Sequence, residues 1–351
     1  MTYVTGFRTT LFLALPLVAA VAAGPASAQT PTYRAITEIS IGGEGGWDYL
    51  ADDAAARRLY VTHGTKVVVV DMDRSAVIGE IDSLPGVHGF AIAPDLGVGF
   101  ASNGRENTAA FVDLETLEVT RRVTTGENPD AILYVPGFRE VYTFNGRGHS
   151  ATVFDAKTGT VVATIPLPGK PEFAVFDPAV GRVYNNIEDQ NAIVVIDART
   201  HTMVATWSIA PGEEASGLAI DLDHHRLFAV CGNGLMVMLN SATGAVVDTA
   251  RIGDGADAAR FDPATGLAFA SNGEGTVTIV HEETPDRLRV VQTLPTARSA
   301  RTMTLDPSTH RIYLSAATYE APSPADSGAQ RRRPRTVPGS FRVLVYGLEG
   351  R

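Results

Sequence analysis

The chain repeats itself every 42 residues or so, and that period restricts the possible folds more than any other feature. Short apolar runs end at Val-Val-Val-Val-Asp71, Ala-Ala-Phe-Val-Asp113, Ala-Thr-Val-Phe-Asp155, Ile-Val-Val-Ile-Asp197, Met-Val-Met-Leu-Asn240 and Val-Thr-Ile-Val-His281, at spacings of 42, 42, 42, 43 and 41 residues. A seventh copy, ending at Tyr346, follows 65 residues later. Each unit carries an earlier aromatic run, as at Leu59-Tyr60-Val61 or Val183-Tyr184-Asn185. In the unit starting at Phe173, Pro/Gly and Asn/Asp turns part four such β-type runs, which makes one antiparallel meander of about 40 residues. A period of this length with four strands per unit predicts an all-β, seven-bladed β-propeller.

Closure follows from what is left over. The seventh unit ends at the C-terminus without room for a fourth strand, whereas Tyr33 to Ile41 reads as an outer strand with no blade of its own. Pairing that strand onto the seventh blade closes the ring and removes two free sheet edges. The extra residues of the seventh unit, 320–339, are rich in Pro, Ser and charge and have no hydrophobic period, so a flexible insertion is expected there. Residues 29–351 are therefore expected to form a single domain.

The first 28 residues read as a signal peptide. Arg8 precedes an apolar run, Leu11 to Ala23, and Ala26-Ser-Ala28 supplies small residues for cleavage. The run is too short to span a bilayer, which takes about 20 residues. Export to the periplasm or medium is expected, with no transmembrane segment in the mature chain. Loss of Arg8 leaves 28 basic residues against 39 acidic ones. A uniform electrostatic grip on nucleic acid is not expected from that balance. Cys231 is the sole cysteine and lies in an apolar run, where a buried structural thiol is expected.

The run Arg58-Leu-Tyr-Val-Thr-His63 and the turn Asp-Pro-x-x-Gly-x-x-Tyr/Phe resemble the YVTN-repeat β-propellers, the YncE-like group. The turn stands here as Asp177-Pro-Ala-Val-Gly-Arg-Val-Tyr184 and Asp262-Pro-Ala-Thr-Gly-Leu-Ala-Phe269. The resemblance covers residues 33 to 349. It implies an exported binding or scaffold protein, and single-stranded DNA binding is known in the group.

Ligands of propellers usually bind at the mouth of the central channel. One equivalent position per unit leads into each inner strand: Asp48, His88, Asp130, Glu172, Ser216, Asp257 and Arg301. Core positions of the repeat converge on Val, Ile, Phe and Tyr, whereas this one is polar in all seven copies. It is either a ring of solvated side chains or a site for a polar ligand or cation. Carboxylates suit Ca²⁺, and His88 with Asp130, Glu172 and Asp257 suits Zn²⁺ or Mn²⁺. Trp47 is either a stacking wall for a ligand or a cover for the first blade. On the same face, His63, Arg105 and Arg147 join the candidates. Arg105 and Arg147 occupy matching positions in adjacent units and, with Arg301, form a fork for a carboxylate or phosphate. The Asn residues of that face, including Asn186, read as turn residues. His224-His225 reads as a solvated turn on the opposite face, and Arg331 to Arg335 as a solvated loop.

No nucleophile elbow, phosphate-loop glycine pattern, haem attachment site or His-Glu-x-x-His motif occurs. Binding of a small polar ligand or an exported protein partner by a monomer is the first expectation. A lactonase-like, metal-dependent hydrolase is the second, and single-stranded nucleic-acid binding the third.

Overall fold

A computed structural model describes residues 1–7, 32–320 and 335–349. Two units are distinguished, Met1–Thr30 and Pro31–Arg351. In the first, residues 1–7 are exposed coil, and the signal-peptide features from Arg8 to Ala28 lie outside the described residues.

The second unit is a seven-bladed β-propeller: seven four-stranded antiparallel sheets, six of them built from consecutive strands. The inner strands are Trp47–Asp53, Val87–Ala93, Pro129–Val135, Pro171–Asp177, Ala215–Asp221, Ala256–Asp262 and Met303–Asp306, one for each of blades one to seven. Each touches its two neighbours, so the seven together line one channel. The outer strands are the polar ones, because their second faces meet water. Thr202–Ser208, for example, has five of its seven residues exposed. Among the described residues, the helical content is a single 3-10 turn, Glu188–Gln190, and no helix is long and apolar enough to cross a membrane.

Ring closure occurs where the sequence places it. Tyr33–Ser40 pairs antiparallel with Arg342–Leu348 and completes the seventh sheet. Gln292 of blade six ties this strand to the next blade: its side-chain oxygen accepts from the Tyr33 amide at 2.8 Å and its side-chain nitrogen donates to the Tyr33 carbonyl at 2.8 Å. The hydrophobic core lies between blades. Tyr33 and Phe269 meet edge-on across the blade six to seven boundary, and Leu50, Val61, Tyr313 and Phe341 fill the boundary between seven and one. Cys231 is fully buried in one such layer, and burial pushes its thiol up to about 12.

The ends of the seventh-blade insertion are tied together. Tyr319 bridges Thr336, and the Glu320 amide donates to the Arg335 carbonyl at 2.8 Å. Residues 321–334, and with them most of the Arg331 to Arg335 cluster, lie outside the described residues.

Candidate functional site

Six of the seven inner strands lose register with their neighbour at the same place. The irregularities fall between Trp47 and Leu50, Val87 and Phe90, Pro129 and Ile132, Pro171 and Ala174, Ala215 and Leu218, and Ala256 and Ala258. Each interval contains the ring residue of its blade. A bulge redirects a side chain out of the pleat, so the chain departs from ideal pairing at the start of these six inner strands. Side chains of the second strand then fix the bulged backbone. Ser102 Oγ donates to the Asp130 carbonyl at 2.5 Å, Asn186 Nδ2 to the Ser216 carbonyl at 2.9 Å, and Ser271 Oγ to the Arg301 carbonyl. In all three the acceptor belongs to the next blade. Asn186 is thus a buried strand residue, a correction to its reading as a turn. At Gly217 a Cβ would lie 2.5 Å from the Ala259 amide nitrogen, so the approach of blades five and six there requires glycine.

Three groupings form at the mouth. In the first, His88 stands between two carboxylates, its Nδ1 2.7 Å from Asp48 Oδ2 and 3.8 Å from Asp130 Oδ1. One donor atom from each of the three residues lies within 4.8 Å of the others. In the second, Lys170 Nζ contacts Glu172 Oε1 at 2.6 Å and also pairs with Glu188. In the third, Asp257 accepts from Ser216 Oγ at 2.8 Å and from Arg301 Nη1 at 2.9 Å. Lys170 and Arg301 each offset one carboxylate. Among the described residues, no Lys or Arg forms an ion pair with the Asp48–His88–Asp130 group.

Burial decides the protonation pattern. It pushes Asp130 up to about 7, helped by the Asp48 charge, and Glu172 up to about 8, helped by Asp130. Burial alone would lower His88, but the Asp48 hydrogen bond and the Asp130 and Glu172 charges outweigh it and hold the imidazole above its ordinary value. Asp130 Oδ1 is buried and accepts no hydrogen bond. A buried acceptor without a donor costs about 1–3 kcal/mol.

A cavity of about 310 Å³ is lined by the residues that directly follow four of the ring positions, namely Tyr49, Gly89, Ala131 and Phe173. Its wall is largely apolar and includes Ile92 and Leu133. Charge returns at Arg260, whose guanidinium lies 4.7 Å over the Phe173 ring, and at Asp52, which accepts from Thr304 Oγ1 at 2.7 Å. Burial lowers Arg260 to about 10 and raises Asp52.

The other expected site residues fall elsewhere. Trp47 stacks on Phe341 at 5.3 Å, in the layer that covers blade one. His63 is buried, stacks on the same Phe341 at 4.3 Å and faces the Gly46 carbonyl at 3.2 Å. Arg105 and Arg147 are exposed and make no ion pair among the described residues, while Arg301 is held by Asp257, so the three do not assemble as a fork. Sequence reasoning missed Lys170, one of only three lysines in the chain, and Arg260, the one basic residue of the strand Ala256–Asp262. Both were visible as charged residues in or beside an inner strand.

Fold and site together define a seven-bladed β-propeller with an acidic channel mouth above a mostly apolar cavity. No family model matches the chain, and no curated protein matches it. Among solved structures, hydrazine synthase of Kuenenia stuttgartiensis shares the fold, with a TM-score of 0.66 over 77% of this chain and 92% of that one. The sequences are 17% identical, so the similarity is one of fold.

Proposed function

We propose that this protein is a non-catalytic binding propeller that captures a small cationic ligand, such as an amine or guanidine, at its channel mouth. The observation that carries this reading is Asp130 Oδ1, a buried acceptor without a donor, set beside Asp48 and His88. A ligand N–H would supply the missing hydrogen bond, and its positive charge would favour the ionised carboxylates. A short apolar body would lie in the cavity below, against Phe173 and Leu133. The YVTN-like repeat pattern and the signal-peptide-like sequence of residues 1–28 support an exported protein acting outside the cytoplasm.

A thermal-shift screen of small monoamines, diamines and guanidines tests the proposal. Stabilisation by at least one class, absent in Asp130→Asn, is expected. The absence of any shift across the panel refutes it.

The spacing of Asp48, His88 and Asp130 supports a second reading, a metal-dependent hydrolase. These residues would hold a divalent cation, which polarises a carbonyl and activates water. About one equivalent of metal lost in Asp130→Asn, together with hydrolysis of a lactone or ester panel, would favour it over the binding protein.

A further inference from the structure

At the far end of the inner strands, on the face opposite the mouth, three residues from two blades meet. Asp221 ends the inner strand of blade five, His224 sits in the turn that follows it, and Glu282 lies in the third strand of blade six. His224 Nδ1 is 2.6 Å from Asp221 Oδ2 and 3.5 Å from Glu282 Oε1. One donor atom from each of the three lies within 4.8 Å of the others. The sequence reading of His224 as a solvated turn residue therefore leaves out its two carboxylate neighbours.

Glu282 is the anomaly. Its side chain is 2% exposed, and beyond the 3.5 Å approach of His224 Nδ1 to Oε1 and the neighbouring Asp221 carboxyl its oxygens have no hydrogen-bond partner. Nothing in the fold calls for an acid there. The backbone amide of Glu282 donates to Gly266 just as those of Met72, Leu114, Ala156, Ala198 and Ser241 donate to the matching turns of blades one to five. Those five residues are small or apolar and are buried. In this one blade the repeat replaces a packing residue with a carboxylate and points it at a histidine. Burying an unpaired carboxylate is costly, and such groups are normally neutralised, paired or bound to metal. The nearby guanidinium of Arg226 is already engaged, by Asp286 at 2.8 Å and by the carbonyls of Pro285, His224 and His225.

We infer that Asp221, His224 and Glu282 form a divalent-metal site that ties blade five to blade six. Two carboxylate oxygens and one imidazole nitrogen suit Zn²⁺ or Mn²⁺ better than Ca²⁺, which prefers oxygen donors throughout. Ligands at about 2.1 Å from a tetrahedral ion lie a little over 3 Å apart. The 3.5 Å contact already fits, and the 2.6 Å hydrogen bond opens slightly when metal displaces its proton. His224 is half exposed, which gives an ion a way in from solvent and leaves room for a water as the fourth ligand.

The test is done on EDTA-stripped Asp130→Asn protein, so that metal bound at the mouth does not contribute. Titration with Zn²⁺, and with Co²⁺ followed by its visible absorption, is expected to show about one equivalent bound and a rise in Tm. Removing an outer-shell partner of a metal site typically costs about 10–100-fold in affinity, so loss of a direct ligand should cost at least that. His224→Ala and Glu282→Gln, each added to Asp130→Asn, should therefore weaken binding by about 100-fold or more. Glu282→Gln relieves the crowding of two carboxyls at Asp221 and should leave the metal-free fold at least as stable. If that variant fails to fold, His224→Ala carries the test, because the side chain is exposed. No binding up to millimolar metal, or binding unchanged in His224→Ala, overturns the inference.

Discussion

Replacing Asp130 with Asn should stabilise the ligand-free protein at pH 8 and leave it nearly unchanged at pH 5. Burial raises the Asp130 carboxyl from 3.8 to about 7, so the folded state holds a proton that the unfolded chain has released. Stability therefore falls as pH rises through the window from about 4 to about 7. Three units at about 1.4 kcal/mol each set a ceiling near 4 kcal/mol. The Asp130 side chain keeps 16% of its surface exposed, and water at the mouth screens the charge, so roughly 2 kcal/mol is a better figure. For a chain of this size that corresponds to about 3 °C in Tm. Asn has the shape of the protonated acid, so at pH 5 the two proteins should melt together. Glu172 should also move back toward its ordinary range, since the Asp130 charge helps to raise it. The assay is calorimetric melting of both proteins at pH 5, 6, 7 and 8, without amines or divalent ions. A variant less stable than wild type at pH 8, or a difference that does not change with pH, would refute the reasoning.

Other perturbations have equally definite outcomes. Lys170→Met removes the ammonium 2.6 Å from Glu172. Lys170 is itself 42% exposed, so the loss should be about 1–2 kcal/mol at pH 8, and it should shrink at pH 5 as Glu172 protonates; equal losses at both pH values would contradict this. Gly217→Ala puts a Cβ into the Ala258–Ala259 backbone and should cost about 1–3 kcal/mol in chemical denaturation. Cys231, fully buried and pushed up to about 12, should react with a thiol reagent only after unfolding.

How far the sequence could be read depends on what is local. The 42-residue spacing and the aromatic second strands record the blade itself, so blade number and the closing strand at Tyr33 were readable. The ring position was readable too, because one polar residue per repeat stands out against apolar neighbours. The pairings within the ring were not. That His88 is held by Asp48 while Arg301 is held by Asp257 depends on the bulges and on how far adjacent inner strands turn. Asn186 shows the limit of turn rules: an Asn beside a polar segment looks like a turn residue, yet it is buried and holds the Ser216 carbonyl of the next blade. Glu282 and His224 are 58 positions apart, and only the packing of blade five on blade six brings them together.

The central claim is that the acidic mouth binds a cationic ligand, and isothermal titration with the best amine from the screen tests it most directly. The account predicts affinity that rises from pH 6 to pH 8, as Asp130 and Glu172 give up their protons, and that is lost in Asp130→Asn. Affinity that is flat or falling over that range, or unchanged in Asp130→Asn, would contradict it.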